Sequence, residues 1–287
     1  MKKLAACMLL VILFAGITAP LAVSASSEHS VKIRVMSYNL HYGNSMGNVY
    51  DLNAQAEVIR QSGAEIIGLQ EVDVHWGSRS LFEDDMKLLA EKLHMHYFFA
   101  PIYDLPPLNA GEPNRQFGVG VLSKYPIVRA VNREITRLST QVPNPVPAPA
   151  PGFAQTLINV KGIKLHVYST HLDYRADPAV RAMQVNDMLS ILKESSRQKI
   201  LFGDMNAQPN APELKPLFST LHDTWNSTEL GLTFPANHPS SKIDYILTST
   251  RIRSSSSYIT STLASDHRPI IADLAIPRPL KYKEGVR

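Results

Sequence analysis

Cysteine is nearly absent from this 287-residue chain: Cys7 is the only one, and it lies in the N-terminal leader. A chain that loses this leader has no thiol. Disulfide staples, cysteine–zinc sites and a thiol nucleophile are thereby excluded, so stability rests on the core. No run of five or more Lys or Arg occurs, and the formal net charge is only +4, falling to +2 once Lys2 and Lys3 are gone. A broad electrostatic footprint for long nucleic acid is therefore not expected. No internal repeat is visible.

What the N-terminus does have is a basic start, Met1-Lys2-Lys3, followed by an apolar stretch from Leu4 to Val23. Val23-Ser24-Ala25 puts small residues where a signal peptidase cuts, and Pro20 with the polar Ser26-Ser27-Glu28 favours cleavage over an uncleaved membrane anchor. Residues 1–25 are expected to be a signal peptide, and residues 26–287 one secreted, monomeric domain.

Along the chain, strand and helix signals alternate before ending in strands. Strands are expected at Lys32–Leu40, Glu65–Gln70, Val119–Ser123, Ala154–Val160, Ile163–Thr170 and Lys199–Gly203, with extended chain from Ile127 to Leu138. Further strands are expected at residues 243–248, 251–259 and 269–276. Asp51 is placed to cap a helix running to about Gly63, and Asp84–Leu93 suits a second. Asp177-Pro178 reads as N-cap and N1 of a third, whose buried face carries Val185, Met188, Leu189 and Leu192. Arg181 and Gln184 on that helix are read as surface. Residues 142–152 carry five prolines and are read as an exposed polyproline-type loop. The mixture suggests two packed sheets with helices outside.

Several apolar strands end in a polar or acidic group, the position where loops at a sheet rim gather chemistry. The segments are Met36-Ser37-Tyr38-Asn39-Leu40-His41, Gly68-Leu69-Gln70-Glu71-Val72 and Tyr168-Ser169-Thr170-His171-Leu172-Asp173. Leu201-Phe202-Gly203-Asp204-Met205-Asn206 and Ser265-Asp266-His267-Arg268-Pro269 follow, with Lys242-Ile243-Asp244-Tyr245-Ile246 as an auxiliary segment. Any one of these is commonplace, because Asp and Asn favour turns. Together they supply carboxylates, amides and imidazoles without thiolate. Hard oxygen donors suit Mg²⁺ or Mn²⁺, with Ca²⁺ a further candidate, and a carboxylate–histidine pair suits proton transfer near neutral pH. A cation, a base for water and donors for developing charge are the parts phosphoryl chemistry needs.

In this order the segments resemble the endonuclease/exonuclease/phosphatase family, which includes DNase I, the AP endonucleases and bacterial sphingomyelinases. The likeness runs from about Val35 to Ile276. It implies an α+β fold, a four-layer α/β/β/α sandwich, and hydrolysis of a phosphoester by in-line attack of water. It also implies roles. Asn39, Glu71 and Asp266 match the metal-site residues, with Glu71 the principal ligand. His267 matches the general base or the partner of the phosphate, with Asp244 holding its ring. His171 matches the second histidine at the phosphate, Asp204 the group that aligns or deprotonates water, and Asn206 a donor to the developing charge.

Departures bear on the substrate. The cysteine-bearing segment of inositol-polyphosphate phosphatases is missing. Val72 and Asp73 stand where AP endonucleases usually have threonine and lysine, and the disulfides of vertebrate-type DNase I are absent. A phospholipid head group, a small diester, DNA and RNA all stay open as partners. A binding module without catalysis would be expected to lack His171, Asp204 or His267. A glycosidase or esterase would leave Asn39, Asn206 and the two histidines unexplained. His41, His75, His94 and His96 are read as surface or packing residues, while Trp76 and Phe234 are candidates for substrate contact.

Overall fold

The computed structural model describes residues 30–195 and 198–278; the expected signal peptide lies outside the described residues. Its strands form two six-stranded sheets. In the first sheet the strand order is β11 (Arg253–Ile259), β12 (Ile270–Pro277), β1 (Ser30–Asn39), β2 (Ile66–Val74), β4 (Arg115–Ser123) and β3 (His96–Leu105). In the second it is β5 (Ile127–Arg137), β6 (Ala148–Val160), β7 (Ile163–His171), β8 (Lys199–Asp204), β10 (Asp244–Thr248) and β9 (His222–Asp223).

Each sheet is antiparallel except for one parallel pair, β1–β2 in the first and β7–β8 in the second. A parallel pair needs a crossover, which α1 (Leu52–Ser62) and α3 (Ala179–Lys193) supply. α1 begins where Asp51 Oδ1 accepts from the Ala54 N–H at 3.0 Å and ends at Gly63, whose φ of 69° is left-handed. α2 (Asp85–Leu93) is capped in the same way by Asp84, and α4 (Lys215–Phe218) is a single turn.

Side chains alternate faces along a strand, and this alternation builds four layers. Ile33, Val35, Ile66, Val167, Ile200, Phe202 and Ile246 point between the sheets and form the central core. Met36, Tyr38, Ile67 and Leu69 point the other way, under α1 and α2. Tyr168, Leu201, Tyr245 and Leu247 lie under α3, against its Val185, Met188 and Leu192. Each such fully buried aliphatic contributes about 1.5–3 kcal/mol. The sheets approach so closely that a Cβ added at Gly68 would lie 2.2 Å from Phe202 Cβ. Among the described residues no helix is long and apolar enough to cross a membrane.

Three expectations are corrected. Nearly half of the proline-rich segment is strand: residues 148–152 belong to β6, and 148–150 pair with β5, Pro149 opposite Thr136. Proline at every second position removes donors from one side of the strand only. On one flank β7 ends at His171, so the side lacking donors has no strand to pair with. α3 begins one residue late, with Pro178 at the N-cap position and Asp177 accepting from the Ala179 N–H. Arg181 and Gln184 are buried, not surface: Arg181 pairs with Glu213 at 2.9 Å, and Gln184 Oε1 accepts from the Asp173 N–H. β3 gave no strand signal beforehand, because Pro101 interrupts it.

Candidate active site

The parallel strands carry the site at their C-terminal ends. Asn39 pairs in register with Gln70, and His171 with Asp204. Inward-facing positions along each strand grade from apolar to reactive. In β1 they run Val35, Ser37, Asn39; in β7 Val167, Ser169, His171; in β8 Ile200, Phe202, Asp204. β10 runs the opposite way, so Asp244 at its start lies beside Asp204. A polar layer floors the site. Gln70 Nε2 donates to Ser169 Oγ at 3.2 Å and Ser37 Oγ at 3.4 Å, and Ser169 Oγ donates to the Leu69 carbonyl at 3.1 Å.

Glu71 breaks the alternation. Leu69 and Val72 both face the α1 layer, so strict alternation would bury the Glu71 carboxylate among apolar groups. Instead β2 bulges between Leu69 and Val72, and Glu71 takes a left-handed φ of 51° that turns it to the rim. Asn206, just past β8, is also left-handed, at φ 48°.

The residues expected to form the site converge. Asn39 Nδ2 donates to Glu71 Oε1 at 3.2 Å and to Asp204 Oδ2 at 3.0 Å. His171 Nε2 lies 3.6 Å from Asp204 Oδ2 and 3.9 Å from Glu71 Oε1. Asn206 Nδ2 donates to the Leu172 carbonyl at 3.0 Å and to His171 Nε2 at 2.9 Å. Both amide hydrogens of Asn206 are thus spent, which leaves His171 with its proton on Nδ1 and makes Asn206 the residue that holds the ring. His267 sits between two acids, with Nδ1 2.9 Å from Asp244 Oδ2 and Nε2 3.6 Å from Asp204 Oδ2.

Burial alone would push the His267 pKa down, but the Asp244 and Asp204 carboxylates outweigh it and raise the pKa to about 10. Its imidazole is therefore a cation at neutral pH. Burial, reinforced by Asp244, raises the pKa of Asp204. Burial likewise raises that of Asp266, against the pull of His267 and His41.

Two groupings could hold a cation. Asp204, Asp244 and His267 each offer a donor atom within 4.8 Å of the others. In that grouping His267 Nδ1 is already engaged by Asp244 Oδ2 at 2.9 Å. Glu71 and Asp266 fit better, with side chains 21% and 24% exposed against 1% for Asp204 and Asp244. Among the described residues the ion-pair partners of these four acids are histidines alone. Hard oxygens carrying excess negative charge are the donor set of a divalent cation.

Residues the sequence did not single out build the frame. Ser265 Oγ donates to the Asn39 carbonyl at 2.7 Å and accepts from the His267 N–H. Buried Gln55 of α1 donates to the Leu40 and Ala264 carbonyls at 2.7 and 2.8 Å, joining two loops of the site. His41, read as surface or packing, has its half-buried ring on the site's rim, with Nδ1 3.9 Å from Asp266 Oδ1. Phe234 packs on the His267 ring, with centroids 4.7 Å apart.

The family model described as the endonuclease/exonuclease/phosphatase family matches residues 36–267, from the end of β1 through His267. The chain belongs to the endonuclease/exonuclease/phosphatase family. Members of this family are divalent-metal-dependent enzymes that hydrolyse phosphoesters. A putative neutral sphingomyelinase of Drosophila melanogaster is 25% identical over 167 residues, which are 54% of this chain and 34% of the relative. The chain thus matches about a third of that relative's length. Among solved structures, an endonuclease/exonuclease/phosphatase of Beutenbergia cavernae superposes with a TM-score of 0.66 at 22% identity, over 86% of this chain and 72% of that one. A mannosyl-6-phosphatase of Bacteroides thetaiotaomicron gives 0.63 at 18%, over 84% and 99%. The human Nocturnin catalytic domain gives 0.59 at 19%, over 85% and 93%. These likenesses confirm the DNase I-like four-layer fold.

Proposed function

We propose that this family member is a secreted phosphodiesterase using Mg²⁺ or Mn²⁺, with Asn39, Glu71 and Asp266 at the metal and His171, Asp204, Asn206, Asp244 and His267 serving the chemistry. The observation that carries the reading is the convergence of Glu71, His171, Asp204 and His267 at one rim, with His267 hydrogen-bonded to Asp244. The cation, when bound, neutralises phosphate charge and polarises the P–O bond.

The chain's own groups do the rest. Asp204 is the acceptor for the water proton: burial raises its basicity, and the Asn39 amide and the Asn206 N–H, the latter at 2.9 Å from Oδ1, fix its direction. His267 donates from its protonated ring to a phosphate oxygen, while Asp244 keeps that ring charged and oriented. His171, held by Asn206, lines the phosphate beside Asp204, and the water proton taken by Asp204 passes to solvent as the ester oxygen departs. Water oxygen adds to phosphorus as the ester oxygen leaves in line, so no covalent enzyme intermediate forms. Residues 1–25 support export of the chain, which N-terminal sequencing of protein from the culture medium tests.

The test of the chemistry is hydrolysis of bis-p-nitrophenyl phosphate by the mature chain with Mg²⁺ or Mn²⁺, then with chelator. Loss of activity on chelation is expected. Full activity under chelator would reject the metal reading, and full rates for His171→Ala and His267→Ala would reject the assigned roles.

A further inference from the structure

The site opens sideways into a cleft of about 270 Å³ that shares Glu71 and His171 with it. A group attached to the scissile phosphate would lie there. One wall is aromatic: Trp76 stands 6.1 Å from Tyr103 and 5.8 Å from Phe117, ring centre to ring centre. The other wall comes from Leu138, Thr140 and Tyr174 of the second sheet's loops. Tyr103 Oη accepts from the Thr140 N–H at 2.9 Å, fastening the two walls together.

The cleft's charges are already engaged. Arg79 forks onto buried Asp73 at 2.8 and 2.9 Å. Arg137 donates to the carbonyls of Pro151, His171 and Gly152. Arg175 pairs with Asp173. A second phosphate would have to compete with these acids and carbonyls for each guanidinium. A quaternary ammonium fares no better, although aromatic walls normally attract one. The Arg79 guanidinium lies 3.9 Å over the Tyr42 ring and 5.5 Å from both Trp76 and Phe117, and Arg115 lies 5.8 Å over Trp76. Those ring faces already carry positive charge.

We propose that this cleft takes an uncharged ring joined to the scissile phosphate, a nucleoside or a sugar, and discriminates against choline and against a second phosphate. The proposal rests on the phosphoester reading above and names its substrate class. Aromatic and guanidinium planes stack on flat ring faces without needing a charge on them.

The experiment uses the mature chain with Mn²⁺ and four p-nitrophenyl esters sharing one leaving group: those of thymidine 5′-phosphate, methyl glucoside 6-phosphate, phosphorylcholine and methyl phosphate. At least one ring ester is expected to exceed the methyl ester in kcat/KM by about tenfold or more, the worth of one stacking contact. The two ring arms distinguish base from sugar, and phosphorylcholine should not exceed the methyl ester. Trp76→Ala and Phe117→Ala should bring the favoured ring ester down to the methyl value, chiefly through KM. Equal rates on all four esters, or a preference for phosphorylcholine, would overturn the proposal. If no ester is cleaved, the phosphoester reading fails by itself. The cleft is then read by Trp76 fluorescence in a Trp225→Phe chain titrated with thymidine 5′-monophosphate and methyl glucoside 6-phosphate. Saturable quenching by either upholds ring binding, and its absence with both overturns it.

Discussion

The two sheets repeat one plan, a parallel strand pair bridged by a helix, yet they end in different chemistry. The β1–α1–β2 half ends in buried Asn39 and in Glu71, which is partly open to solvent at the rim. The β7–α3–β8 half ends in His171 and Asp204, and Asp204 is almost wholly buried. The second half keeps its register through Asp204 and relies on hydrogen bonds to fix each group. The first half breaks register with a bulge to bring out one carboxylate. One half is arranged to hold a cation, the other to move protons, and the Asn39 amide joins them by bonding to both acids.

Mutations in the two halves should therefore fail differently. The largest effect is expected for Asp204→Ala, with kcat down by about 10²–10⁴-fold, as for loss of a general base. Excess metal should not restore it. Glu71→Gln should raise the Mn²⁺ concentration for half-maximal rate by at least about tenfold, with partial recovery at high metal. Calorimetric Mn²⁺ titration of the two variants checks the contrast, and equal metal affinities would erase it.

Gly68→Ala probes the surface where the halves meet. Forcing a methyl onto Phe202 should cost about 1–3 kcal/mol in urea unfolding. Asp244→Asn removes the acid bonded to His267 Nδ1 and probes the second half alone. With a folded pKa raised to about 10 from 6.5, the His267 charge contributes stability that is complete below about pH 6.5 and is lost as pH rises through 10. In Asp244→Asn the folded pKa should fall, so the contribution should be smaller and should be gone by a lower pH, as read by NMR titration of the imidazole and by urea midpoints across pH.

Much of this was legible in the sequence, because period two decides which way a strand residue points. Ser37 to Asn39, Ser169 to His171 and Phe202 to Asp204 all step inward by that rule, and the caps at Asp51 and Asp84 are local chemistry. What was hidden depends on distant partners. The bulge at Glu71 answers to the apolar layer beneath it. The burial of Arg181 answers to Glu213, 32 residues on. The pairing of Pro149 answers to where β7 stops.

The grading of the inward strand faces, from Val or Ile through Ser or Phe to Asn, His or Asp, has a consequence for how such a protein can change. The scaffold is specified by the lower part of each strand, and the reaction by its last one or two residues. Substitutions at the tips and in the loops beyond them can alter what is bound while the packing below goes untouched. New specificities can therefore be explored on this scaffold without first relearning how to fold.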